Sequence, residues 1–300
     1  MKKFLVALSL AAFAFVGCDD SSSASAGPND EPGMESSSSV ELGSSSSEKA
    51  NSSSSVTQSD VKQSSSSEKT GTSSSSSAKS SSLSTGEDKG VYDAVKNTLT
   101  DLRDGQTYRT TTIKIFDAER GIDYSEVWMA ENLNYETDNS FCSIINDSFC
   151  DTYGRMYTWA AAVDKPEDEC GYEKVCNLPS GNIRGVCPQG WHLPSEAEWE
   201  SLIVAVGGYN SAGRALKSKT RWDTRDGVVN DDTYMFSALP AGDRVEDGRF
   251  YNQGWDAYFW SSTENGDYAA CRMYLNFGND LANLSNLIKS SGFSVRCLKD

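Results

Sequence analysis

The 300 residues carry 27 Lys and Arg against 43 Asp and Glu, a formal charge of −16. A balance this acidic argues against nucleic acid as a partner and keeps the molecule soluble. With a single histidine, His192, a His-rich metal site or a Ser/His or Cys/His catalytic pair has little to be built from.

Residues 1–17 read as a secretory leader. Lys2 and Lys3 form its positive end, and residues 4–16 an apolar run too short to span a bilayer comfortably. Phe15-Val16-Gly17-Cys18 resembles a bacterial lipobox, with Phe in place of the usual Leu. This predicts cleavage before Cys18, a lipid on its thiol, and a chain held on the outer membrane or cell surface of the cell envelope. Residues 18–89 form a spacer in which blocks of serine recur between short charged or polar stretches, with no aromatic residue. Nothing there offsets the entropy of ordering the chain, so it is expected to be a disordered linker. As a random coil it reaches roughly 45–50 Å.

All seven Trp lie between Trp128 and Trp260, which places one globular domain in residues 90–300. Asp104-Gly105 predicts a hairpin turn, followed by the β-favouring run Thr107, Tyr108, Thr110, Thr111 and Thr112. Residues 127–133 read as a strand opening into a loop, and residues 159–162 as a short helix. The best-specified element follows Cys187. Pro194 keeps the chain extended, Ser195 and Glu198 form a capping box, and Trp199, Leu202, Ile203 and Val206 share one helix face. Gly207-Gly208 ends it.

Residues 212–218 predict a second, shorter helix, and residues 221–232 an acidic loop. Residues 236–244 and 249–251 flank Glu246-Asp247-Gly248 as a hairpin, and residues 259–263 form a further strand. Ala269, Cys271, Met273, Leu275 and Phe277 alternate with polar neighbours, as in a half-buried strand. Phe293, Val295 and Cys297 repeat the pattern. The expectation is an antiparallel partner for the preceding strand, reached through a polar loop, with Ser294 and Arg296 facing out.

Eight cysteines in an exported chain read as a disulfide framework. Short separations favour Cys142 with Cys150 and Cys170 with Cys176. Cys187 and Cys297 then join the helix region to the last strand. With Cys18 lipidated, Cys271 is left as a buried free thiol. No two cysteines form a C-x-x-C pair, which argues against a structural metal.

Seven ordered segments carry a resemblance: WMAENLNY (128–135), YGRMYTW (153–159), CPQGWHLPSEAEW (187–199), AGRALKS (212–218), FSALPAGDR (236–244), FWSSTE (259–264) and SVRCLKD (294–300). Together they resemble the Fibrobacter succinogenes major paralogous domain family, which looks distantly related to the C-type-lectin-like and formylglycine-generating-enzyme folds. The resemblance implies an α+β, C-type-lectin-like fold with two helices packed on small antiparallel sheets and a disulfide from the first helix region to the last strand. It supplies no activity.

The expected function is non-catalytic: binding of a polysaccharide or an envelope protein by a lipid-anchored domain. Loops between residues 221 and 264 offer the candidate ligand surface, with Trp222, Asp223, Asp231, Asp232, Asp243, Arg244, Trp255 and Glu264 as its members. Asp223, Asp226, Asp231 and Asp232 offer oxygen ligands for Ca²⁺, although the spacing is no EF-hand and ordinary turn chemistry explains them better. No cofactor is expected beyond that ion. Trp191 and His192 read as a core plug beside the helix rather than a site. The alternatives are an enzyme, either a paired-carboxylate hydrolase, for which no spacing singles out a pair, or a thiol oxidase built on Cys271 and Cys297, and an envelope scaffold with no small ligand.

Overall fold

The computed structural model describes residues 89–143 and 148–300. The leader, the lipobox with Cys18 and the spacer up to residue 88 lie outside the described residues. The domain is a mixed helix and strand structure, mostly sheet, with small antiparallel sheets and disulfides.

It opens on successive antiparallel strands: β1 (Gly90–Asp93), β2 (Thr98–Asp101), β3 (Thr107–Asp117) and β4 (Ile122–Met129). Gly105, at φ 79°, turns β2 into β3, and the Asp104 carboxylate accepts the Gln106 N–H at 2.9 Å. β4 starts at Ile122, ahead of the expected residue 127, because its first half pairs with β3 while exposing alternate side chains. Its last residues, Trp128 and Met129, are fully buried.

Short elements follow: β5 (Ser140–Phe141), α1 (Phe149–Tyr153), β6 (Met156–Tyr157), α2 (Trp159–Ala162), α3 (Glu167–Cys170) and β7 (Trp191–His192). Thr158 caps α2 by accepting the Ala161 N–H at 3.2 Å. Disulfides join Cys142 to Cys150 and Cys170 to Cys176. Then comes α4 (Glu196–Ala205), with both halves of its Ser195–Glu198 capping box formed. Trp199, Leu202 and Ile203 are fully buried. Trp199 lies on Trp128 and Phe259 with ring centroids 4.7 and 5.7 Å away. Each such buried side chain contributes about 2 kcal/mol. α5 (Ala212–Leu216), β8 (Asp243–Arg244) and β9 (Phe250–Tyr251) lead into β10 (Asp256–Asn265), β11 (Ala269–Asn276), β12 (Ala282–Ile288) and the final β13 (Leu298–Lys299).

The end of the chain corrects the reading made from periodicity. β11 pairs with β12, which lies in the stretch expected to be a polar loop. β12 is an edge strand with half-buried Asn and Ser residues, so its apolar alternation is weak. Residues 293–297 instead bridge Tyr157 and Phe259, and β13 inserts between β4 and β7 to complete a six-stranded sheet ordered β1-β2-β3-β4-β13-β7. Both faces of this segment are covered. Ser294 and Arg296, expected to face solvent, are 1% and 0% exposed.

Cys187 and Cys297 are bonded, so the residues just before β7 and β13 are tied. Cys271 is buried but is not a free thiol: it is disulfide-bonded, and none of the described cysteines is free.

The Cys187–Cys297 bridge spans 110 residues of sequence and Cys170–Cys176 spans 6. In the chain-entropy account, replacing the first pair by alanines removes about 4–5 kcal/mol and replacing the second about 2 kcal/mol. Urea unfolding of the two double variants checks this; equal losses, or a larger loss at the short bridge, contradict it.

Candidate functional site

A cleft of about 580 Å³ opens beside β3, where separate segments of the chain meet. Arg109 comes from β3, and Glu131, Asn132 and Asn134 from the loop after β4. Ser218 and Arg221 follow α5, and Asp232 and Ser237 come from the next loop. Four of the seven motif segments contribute to it: 128–135, 153–159, 212–218 and 236–244.

The floor is Asn132, which is 5% exposed. Its amide donates to Tyr153 O at 2.8 Å and to Ser294 Oγ at 3.1 Å, and its carbonyl accepts from Arg296 Nε at 2.8 Å. Gly154 closes against it. At φ 71° a side chain there is strained, and a Cβ would lie 2.8 Å from Asn132 Cβ. Behind the floor, Arg296 donates from Nη2 to Ser237 O at 2.8 Å and from Nη1 to Phe236 O. Burial pushes its pKa down to about 9, against which the charges of Asp232 and Glu131 favour the cation. The guanidinium therefore stays charged at neutral pH, on carbonyl oxygens.

One wall is strained. Asp232, Met235 and Ser237 adopt φ of 46°, 54° and 52°, a region that side chains other than Gly and Asn enter at a cost. The strain is held by bonds from several directions. Asp232 accepts from Ser237 N and Oγ, both at 2.7 Å, and Thr111 Oγ1 donates to Tyr234 O at 2.6 Å. Opposite, Glu131 accepts from Arg109 N at 2.7 Å and Nε at 2.9 Å. Arg221, at φ 75°, is exposed with its guanidinium 5.7 Å from the Tyr153 ring centre. The lining is thus hydroxyls, amides and charges already oriented by neighbours.

Residues 122–299 match the family model described as the Fibrobacter succinogenes major domain. The chain belongs to this family. No curated protein and no solved structure matches it.

In this Fibrobacter major domain the eight expected surface residues do not form one site. Asp232 alone among them lines the cleft. Trp222 is a correction: it is 8% exposed, in the core, and donates to Ala238 O at 3.0 Å. Glu264 is another. It accepts from the buried Lys289 Nζ at 2.5 Å and from Cys176 N at 2.7 Å, fastening the Cys170–Cys176 loop rather than facing a ligand. Asp231 pairs with Arg214 at 2.5 Å. Asp243 accepts from Asn252 Nδ2 at 2.7 Å, and burial raises its pKa. Arg244 lies 3.7 Å over the Phe141 ring. Asp223 and Trp255 do meet, at 2.6 Å, on another part of the surface. The four loop aspartates do not gather, and among the described residues no group of three His, Cys, Asp or Glu is placed to hold a metal ion. Cys271 and Cys297 are both disulfide-bonded and buried, so neither offers the thiol an oxidase needs.

Arg109, Asn132, Arg221 and Arg296 were not singled out from sequence. Asn132 sits inside a motif segment and Arg296 inside another, which was the available signal. Alternation pointed the Arg296 side chain the wrong way.

His192 is 3% exposed on β7, away from the cleft. Nδ1 meets Asp300 Oδ1 at 2.7 Å and Nε2 meets Glu198 Oε1 at 3.0 Å. Burial disfavours the imidazolium, yet the two carboxylates outweigh it and its pKa lies above the ordinary 6.5. For Glu198, burial opposes ionisation, but bonds from His192 and Ser195 carry its pKa below 4.5. The bridged imidazolium therefore stabilises the fold fully below about pH 6.5, and this contribution is lost as pH rises through its folded value. The Glu198 carboxylate contributes above about pH 4.5 and loses its contribution as pH falls. Melting curves of wild type and His192→Gln should differ most between these limits and converge as pH rises. A gap independent of pH contradicts the bridged imidazolium.

Proposed function

We propose that this domain is a non-catalytic, C-type-lectin-like binding module that takes a carbohydrate in the cleft beneath β3. We place it on an exported chain held in the cell envelope, with the serine-rich stretch as a spacer. The observation that carries the binding reading is the cleft lining. Asn134 and Thr220 bring an amide and a hydroxyl to the lining, Ser218 and Ser237 bring hydroxyl oxygens whose protons go to Thr220 O and Asp232, and Glu131 is engaged by Arg109, all over the fully bonded Asn132. Sugar hydroxyls both donate and accept, and preorganised polar groups around a concave site suit them. The C-type-lectin-like build is supported by the bridge from the residues before β7 to the last strand, and by short helices on small antiparallel sheets.

Arg221 is the exposed group best placed to be lost without harm to the fold. Titration calorimetry of the full chain with neutral oligosaccharides, with and without Ca²⁺, should give saccharide binding that Arg221→Ala weakens about tenfold, the order expected for a hydrogen bond from a charged donor. Absence of binding to every saccharide, or binding indifferent to Arg221→Ala, contradicts the proposal.

A further inference from the structure

Six of the seven tryptophans are 0–8% exposed, whereas Trp255 stands at 50%. The exposed ring is not loose. Trp255 closes a turn in which its N–H donates to Asn252 O at 2.9 Å, with Asn252 at φ 60° and Gly254 at φ 89°. Gly254 N–H reaches Pro240 O at 3.0 Å. The indole N–H donates to Asp223 Oδ2 at 2.6 Å. Phe277 backs the ring, with planes 28° apart and centroids separated by 5.8 Å, and its N–H donates to Trp255 O at 2.8 Å.

These contacts occupy one face of the indole and its polar edge. What remains is a bare π face in a fixed orientation, beside a carboxylate. A cation is close as well: a Cβ on Gly278, next to Phe277, would come within 2.6 Å of Arg225 Nη1. Thr224, Asp226 and Gln253, neighbours in the chain, are exposed and polar.

We propose that Trp255 is a stacking platform for one pyranose ring, a second subsite for a saccharide chain, with Asp223 and Arg225 positioned at its rim to meet hydroxyls. A pyranose presents an apolar C–H face and a polar circumference, which matches a single ring bordered by an acceptor and a donor. A protein partner fits less well. Protein interfaces bury about 800 Å² per side around a core depleted of charge, and here the apolar area is one ring among charged groups. Holding the ring in place before the ligand arrives lowers the ordering cost of binding. The inference rests on the carbohydrate reading of the domain but concerns a different surface from the cleft.

Because the other tryptophans are buried, acrylamide quenching of the full chain reads Trp255. The probes are linear β-1,4-linked hexasaccharides of glucose, mannose and xylose. At least one should shield Trp255 from the quencher. Trp255→Ala should weaken its binding about tenfold, Trp255→Phe less, and both variants should melt as wild type does. Arg221→Ala should leave the shielding at saturation intact. Hexasaccharide binding without shielding, and unaffected by Trp255→Ala, overturns the platform and leaves the cleft reading standing. Binding by none of the three overturns both. Shielding by an envelope protein with none by saccharide also overturns the platform.

Discussion

A guanidinium with no exposed surface has to place its donors on fixed acceptors, because an unmatched buried cation costs several kcal/mol. Arg296 does so by joining segments far apart in the chain: Asn132 after β4, and Phe236 and Ser237 in the loop that walls the cleft. The side chain comes from the segment that runs into β13, and β13 fills the place between β4 and β7. One residue therefore couples the course of the terminal strand to the floor and wall of the candidate site.

Two lysines repeat this solution. Lys217 Nζ donates to Asn276 O and Asn279 O at 3.0 and 2.7 Å, and burial lowers its pKa to about 8. Lys289 Nζ donates to Lys174 O at 2.6 Å and to Glu264. In each case a buried cation near a strand or helix end gathers loop carbonyls. Much of this domain is loop, and loops expose backbone groups that need partners. The cations supply them, with the disulfides at Cys142–Cys150 and Cys170–Cys176 closing the tightest stretches. The positive φ values at Asp232, Met235 and Ser237 persist because bonds to Thr111 and Arg296 fix the same turn from two sides.

The legible parts of the fold were those governed by local chemistry. The α4 capping box, the Asp104-Gly105 turn and the alternation of β11 follow from near neighbours in sequence. So did the cysteine pairs, from short separations and strand faces. The course of residues 293–299 depends on what covers each face, which period-two alternation cannot express, so alternation alone points Arg296 to solvent. β12 leaves no such signal because an edge strand does not need a clean apolar face. The site was less legible than the fold. Tryptophans and acids between residues 221 and 264 share a composition but not a location. Trp222 and Glu264 serve the core and a loop clamp, and only Asp223 with Trp255 form a pair. The cleft residues Asn132 and Arg221 are unremarkable in type, and their role comes from convergence in space.

Arg296 holds the wall of the cleft in its strained form. Hydrogen exchange followed by mass spectrometry on Arg296→Leu separates packing from bonding, since leucine fills part of the buried space and removes the three donors. Exchange should be faster in peptides covering residues 232–239, with protection of β10 and β11 unchanged. Unchanged exchange at residues 232–239 in a folded variant would contradict it.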